Sequence, residues 1–218
     1  MALRLHGCYN LLMNKKSSHA DTSDSKSGHV QAQALFLAIR SADSEAVIRL
    51  ARSLIDLDLQ KHGDFDDSPL IFAARVDLPL EPFQVLLERS NARLSNSNGR
   101  SALMFAAMGR EPHSPDLVRL LLPLSDPRAV DINGENALYF AIRAHAAHGL
   151  CRETIRALLP VSDLAQQKNG WTPLEYARAR DSDEAVDLIL SEIARREADQ
   201  LSCATLPAKS KDSPRPRL

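Results

Sequence analysis

The chain has 218 residues, with 27 Lys and Arg against 28 Asp and Glu and a formal net charge of −1. That balance lacks the basic excess of a nucleic-acid binder, and no apolar run approaches the roughly 18 residues that span a bilayer, so neither nucleic acid nor membrane is expected as a partner. Hydrophobic residues make up 44% and aromatic residues only 5%, so the core must be built from Leu, Ile, Val and Ala, which suits close-packed helices.

Met1 to Lys16 forms a Leu-rich start with Arg4 and His6 inside its apolar patch. It has no continuous apolar stretch and no small-residue cleavage site, so it is not read as a signal peptide. Residues 14–29 are polar, rich in Ser, Asp and Lys, and have no apolar period. Residues 1–29 are therefore expected to be an unstructured leader. Residues 201–218, with Pro, Ser, Lys209, Lys211, Arg215 and Arg217, read as a flexible basic tail.

Between them a helical pattern repeats. One leucine per unit aligns it: Leu35, Leu70, Leu103, Leu138 and Leu174, separated by 35, 33, 35 and 36 residues. Each leucine is followed three residues on by alanine: Ala38, Ala73, Ala106, Ala141 and Ala177. Small residues at one recurring place let neighbouring helices approach closely. Phe72, Phe105, Phe140 and Tyr176 recur beside them and read as core. Two residues before the leucine stand Ser68, Ser101, Asn136 and Thr172, all with a side-chain oxygen for the free N–H groups of a helix start. Pro69 and Pro173 follow, where proline fits a first turn, and Thr172 and Glu175 have capping-box spacing. Upstream lie Asn98-Gly99, Asn133-Gly134 and Asn169-Gly170, which favour tight turns with positive φ.

Each unit then carries a second apolar helix: Val47 to Ile55, Phe83 to Leu87, Leu117 to Leu122, Thr154 to Leu159 and Ala185 to Ile193. Ser114-Pro115 marks one start plainly. The spacing predicts turn, helix, short loop, helix and connector, over units of about 30–63, 64–97, 98–131, 132–167 and 168–200. One unit cannot bury both faces of its helix pair, whereas a stack makes a continuous core. The last helix, read as Asp181 to Gln200, carries the acids Asp181, Asp183, Glu184, Asp187, Glu192, Glu197 and Asp199 against Arg195 and Arg196, and suits the polar end of a stack.

These residues resemble the ankyrin repeat, whose first helix carries T-P-L-H-x-A-A after a turn glycine. The matches are Ser68-Pro69-Leu70-Ile71-Phe72-Ala73-Ala74, Gly99-Arg100-Ser101-Ala102-Leu103-Met104-Phe105-Ala106-Ala107 and Gly170-Trp171-Thr172-Pro173-Leu174-Glu175-Tyr176-Ala177. The resemblance covers roughly residues 30–200. It departs in three places. Leu122-Pro123-Leu124-Ser125-Asp126 and Leu159-Pro160-Val161-Ser162-Asp163 replace the glycine after the second helix. The first unit lacks its turn and cap. The loop around Ala144 to Cys151 reads as lengthened.

The resemblance implies an all-α solenoid of about five stacked helix-loop-helix units with short turn tips. It implies a non-catalytic scaffold, monomeric and without a cofactor, that binds a partner protein on its concave face. Turn tips and first-helix edges form that face. Carried over, the positions are Asp67, Arg100, Glu135 and Trp171 before the caps, Ser97, Ile132 and Lys168 at the tips, and Arg40, Arg75, Met108, Arg143 and Arg180 along the helix edges. Trp171, Lys168, Glu135, Arg100, Arg143, Met108 and Arg75 are the expected partner-binding residues, tryptophan and arginine being enriched at binding hot spots. The alternative for Trp171 is that it lies on its own turn and seals the last repeat interface. An alternative function is a regulatory inhibitor or secreted effector that sequesters one enzyme in another cell.

Catalytic and metal chemistry find little support. There is no GxSxG, P-loop or GxGxxG motif. His145, His148 and Cys151 would place three ligands on one helical face if that stretch were helical, but a fourth ligand is missing. They are read instead as solvated histidines on a long loop beside a half-buried core thiol, with no metal expected. Cys8, Cys151 and Cys203 are odd in number and widely spaced, which gives no disulfide framework and fits a reducing, cytoplasmic compartment.

Overall fold

The computed structural model describes residues 24–204 apart from 60, 62–64, 110–112 and 150. Among these residues the fold is all helical, with two isolated bridges at Ser95–Ser101 and Lys168–Trp171. Five inner helices stack in a row: α1 (Asp24–Arg40), α3 (Pro69–Arg75), α5 (Ala102–Met108), α7 (Ala137–His148) and α9 (Pro173–Arg178). Five outer helices form a second row: α2 (Ser44–Ser53), α4 (Leu80–Glu88), α6 (Ser114–Leu121), α8 (Arg152–Leu158) and α10 (Asp183–Ala204). Each inner helix packs on the outer helix that follows it, which makes five units.

The helix starts follow from the cap residues. Ser68 Oγ accepts from Ile71 N, Ser101 Oγ from Met104 N, and Asn136 Oδ1 from both Leu138 N and Tyr139 N. Thr172 and Glu175 form the reciprocal capping box. Each cap satisfies an otherwise orphaned donor and contributes about 1 kcal/mol. The turns before the caps place Gly99 and Gly170 at φ +72° and +81°, where a Cβ would be strained. A Cβ on Gly99 would also lie 3.2 Å from the backbone of Asp131 in the next turn. Successive tips are joined by backbone bonds: Ser97 N donates to Phe65 O, and Ile132 N to Asn98 O.

The repeat leucines are buried except Leu174, which lies half-buried in the last unit, where no further inner helix among the described residues covers it. Ala73, Ala106, Ala141 and Ala177 are wholly buried where inner helices meet. Interiors of this density accept no larger side chain without backbone movement. On the outer side the missing glycine is replaced by a different device. Asp56, Asn91, Asp126 and Asp163 each accept a hydrogen bond from the backbone N–H two residues on, an Asx turn repeated once in each of the first four units. Arg89 caps the end of α2 through Ala51 O and Leu54 O, and Arg196 caps the end of α8 through Leu159 O and Ser162 O.

Three boundaries move. Helix α1 begins at Asp24, inside the stretch read as leader; the remainder of 1–29 lies outside the described residues. Helix α10 starts at Asp183 and runs to Ala204, past the limit drawn at 200, and residues 205–218 lie outside the described residues. The expected loop from Ala144 is helix: α7 has 12 residues against 7 in α3 and α5 and closes at Gly149 in the left-handed region. Ala144, Ala146 and Ala147 are the best helix formers, and His145 is buried against α10, so packing and propensity both extend the helix.

Candidate functional site

The inner helices and their turns present one continuous edge, and the residues expected there form a ladder of ion pairs. Asp67 meets Arg75 eight residues on and accepts from Asn96 Nδ2 in the following turn at 2.7 Å. Arg100 Nε donates to Asp131 Oδ2 in the following turn at 3.1 Å. Arg143 Nη1 donates to both oxygens of Glu135, at 3.0 and 2.8 Å, and Lys168 of unit 5 adds a further contact to Glu135. The acids lie at the bottom: the side chains of Asp67, Asp131 and Glu135 are 0–2% exposed, while Arg75, Arg100 and Arg143 are 27–39% exposed. Glu135, expected as a contact residue, is thus an internal anchor for Arg143 and Lys168. Its location under the cations follows from charge, since a buried carboxylate needs paired donors.

Asp131 shows the same logic. Burial pushes its carboxyl up, but N–H groups of Glu135 and Asn133 together with Arg100 outweigh this and hold it below the usual carboxylate range. The cations also cover the aromatic stripe. Arg75 lies 5.8 Å from the centroids of both Phe72 and Phe105, Arg100 and Arg143 lie 5.4 and 4.6 Å from Phe140, and Lys168 and Arg180 lie 5.0 and 4.9 Å from Tyr176. The aromatics are buried, as expected, with guanidinium or ammonium groups over their faces.

Two hollows open on this edge. The larger, about 560 Å³, is lined by Arg75, Phe105, Met108, Arg143, Ala144 and His148. The longer α7 builds one wall of it, and Met108, half-buried on the other side, accepts from Arg143 Nη2 at 3.7 Å. The second, about 270 Å³, lies in unit 5 between Lys168, Trp171, Tyr176, Ala179 and Arg180. Trp171 is 46% exposed there, so its indole is a half-open wall rather than a sealed core element. Its backbone is fixed: Trp171 N donates to Lys168 O at 3.0 Å, and the Tyr139 hydroxyl shares its one hydrogen between Trp171 O at 2.6 Å and Gln166 O at 2.8 Å. Burial pushes the Tyr139 phenol up to about 12, so it remains a donor at physiological pH. In register with Arg75, Met108 and Arg143, the last unit places Ala179; Arg180, expected in that row, stands one residue beyond it.

His145 and His148 lie on α7 rather than on a loop; His148 is exposed, as expected, whereas the reading of a solvated histidine is corrected at His145. His145 is buried, with Nε2 3.2 Å from Glu184 Oε2, and Glu184 Oε1 is 2.8 Å from Arg152. Cys151 is buried, not half-buried, and its thiol donates to Gly109 O at 3.4 Å. Among the described residues no group of three His, Cys, Asp or Glu is arranged to hold a metal. No helix of the described residues is long and apolar enough to cross a membrane.

Sequence reasoning missed Asn96, Asp131 and Tyr139. The first two carried a signal: each is a polar residue seven before a repeat leucine, and each side chain accepts two backbone N–H bonds that close its turn.

A protein-family description, "Ankyrin repeats (3 copies)", matches residues 70–147 and 112–199. No curated protein matches. Among solved structures, the chain is similar to an ankyrin repeat domain from Acinetobacter baumannii AYE, at 24% identity and a TM-score of 0.62, over 72% of this chain and 80% of that one. That likeness shows the fold. Turn glycines, capped inner helices, buried alanines and two stacked rows are thus joined by a family match over more than half the length, and the chain belongs to the ankyrin-repeat family.

Proposed function

We propose that this protein is a non-catalytic scaffold that holds a partner protein against the inner edge of its stack. Ankyrin repeats are protein–protein interaction modules, and the family match supports that mode of action. The observation that carries the reading is the edge itself: partly exposed Arg75, Arg100, Met108, Arg143 and Lys168 and the half-open Trp171 stand along one face, on the capped inner helices and the turns that precede them. Partners held by such faces meet pre-placed side chains and lose less freedom on binding. Glu135 serves the face from below by fixing two of its cations.

Affinity capture from the native cell, read by mass spectrometry, tests the reading. Wild type is expected to enrich a defined protein over a bead control. Trp171→Ala is expected to reduce that enrichment at least tenfold while leaving the thermal midpoint nearly unchanged. A wild type that enriches nothing over the control ends the proposal.

A further inference from the structure

We infer that the cleft in unit 5 receives a carboxylate-bearing side chain, together with a neighbouring aromatic or aliphatic one, from the partner protein. The inference rests on the scaffold reading above and names the chemistry that this part of the face selects.

Unit 5 lacks an ion pair that units 2 and 4 have. In units 2 and 4 the residue before the cap is an acid, Asp67 or Glu135, and the residue eight positions on is an arginine, Arg75 or Arg143. In each pair the arginine lies over its own unit's aromatic ring, Phe72 or Phe140, and is met by its own acid. In unit 5 the acid position holds Trp171 and the arginine position holds Ala179. With neither partner present, the space becomes the cleft of about 270 Å³. That volume is below the roughly 300 Å³ floor of small-molecule pockets and suits one or two side chains.

The cleft is cationic and aromatic. Arg180 Nη2 donates to Tyr176 Oη at 2.9 Å and its guanidinium lies over the Tyr176 ring, but no carboxylate is within 4 Å of it among the described residues. In the units with an internal acid, the arginine meets a carboxylate buried beneath it. Lys168, reaching across from the turn, is anchored on Glu135 and also lies over Tyr176. The nearest acid on α9, Glu175, is committed to Thr172 N and Oγ1 at 2.8 and 2.9 Å. A carboxylate supplied from outside therefore takes the place of the acid that Trp171 displaced, with Arg180 as its partner. The Trp171 indole, 46% exposed, offers apolar surface to the neighbouring side chain.

The walls are pre-placed. Tyr139 ties the Trp171 carbonyl to α7, the Lys168–Trp171 bridge closes the turn, and the capping box fixes the start of α9. A site so held needs little ordering when it is filled.

Trp171 is the only tryptophan in the chain, so its emission reports the cleft directly. The test titrates the full-length protein with blocked Gly/Ser hexapeptides carrying at their centre an Asp–Phe, an Asn–Phe or an Asp–Gly pair. The Asp–Phe peptide is expected to give a saturable change in Trp171 emission. The Asn–Phe and Asp–Gly peptides are expected to bind at least tenfold more weakly, and high salt to weaken the Asp–Phe peptide. Arg180→Glu is expected to weaken the Asp–Phe peptide at least tenfold, and Arg180→Gln to weaken it less, with circular dichroism and thermal midpoint unchanged in both. Equal affinity for the Asp–Phe and Asn–Phe peptides, no saturable change, or indifference to Arg180→Glu overturns the inference. The native capture separates the two readings. A partner retained in full by both Arg180→Glu and Trp171→Ala removes the cleft while the scaffold stands. A wild type that captures nothing removes the scaffold, and the peptide titration still judges the cleft.

Discussion

Units 4 and 5 share one backbone plan and use it differently. Both have a turn glycine at positive φ, a side-chain cap and an inner helix packed on its neighbour. In unit 4 the charges are satisfied internally: Glu135 is buried under Arg143 and Lys168, and Phe140 is wholly covered. In unit 5 the matching positions are Trp171 and Ala179, the edge is open, and the ionic contacts move to the outer helix as Glu192 with Arg195 and Arg196. A repeat frame therefore fixes where side chains stand without fixing whether they satisfy one another or await a partner.

The comparison breaks most severely at Phe140. Its ring has no exposed area and lies under two guanidiniums, so Phe140→Ala is expected to cost about 3–5 kcal/mol, by transfer and cavity together. Urea denaturation followed by circular dichroism measures this, and a loss under 1 kcal/mol would contradict the closed description of unit 4. Glu135→Gln comes next. It keeps the shape and removes the charge beneath Arg143 and Lys168, with an expected loss of about 1.5–3 kcal/mol, the range for hydrogen bonds to charged groups. Trp171→Ala in unit 5 gives the contrast at about 1 kcal/mol or less, because half of the indole already faces water. Equal losses from the two changes would erase the distinction between a structural edge and an open one.

Much of this fold was legible in the sequence because repetition multiplies weak local signals. Ser68, Ser101, Asn136 and Thr172 are each modest indicators, but at a steady period, with leucine and alanine at fixed offsets, they define four helix starts. The loop read at Ala144 was wrong because no local residue announces that His145 is buried against α10, whose Glu184, far along the chain, stands 3.2 Å from its ring. The candidate site was half legible. Arg75, Arg100, Arg143, Met108, Lys168 and Trp171 do line the inner edge, but ion pairing is a long-range property. Nothing local in Glu135 tells that Lys168 and Arg143 converge on it, or that Tyr139 will hold the Trp171 turn.

Tyr139→Phe sharpens the comparison at the junction of the two units. It deletes the hydroxyl that reaches Gln166 O and Trp171 O, for an expected loss of about 1 kcal/mol. A red shift of Trp171 emission is expected to accompany it, because the loosened turn lets water reach the indole. Loss of stability with emission unchanged would mean that the bond supports unit 4 and leaves the Trp171 turn untouched.

The smallest effect concerns the outer helix that holds unit 5. Hydrogen bonding from Arg195, joined by Arg196 and opposed by burial, brings the Glu192 carboxyl down to about 2. Its folded value is below its unfolded one, near the ordinary 4.5. The unfolded chain therefore binds a proton at this group before the folded chain does. The stability it contributes is fully present above about pH 4.5 and is lost as pH falls towards 2. Glu192 also accepts from Arg196, whose other nitrogen caps the carbonyls of Leu159 and Ser162 at the end of α8. Protonation thus loosens the contact between α10 and α8. The difference in thermal midpoint between wild type and Glu192→Gln is expected to be constant from pH 7 to 5 and to shrink steadily below 4.5. A difference that stays constant down to pH 2.5 would show that α10 holds to unit 4 through its apolar face, Ala185 and Ile189, and owes nothing to this carboxylate.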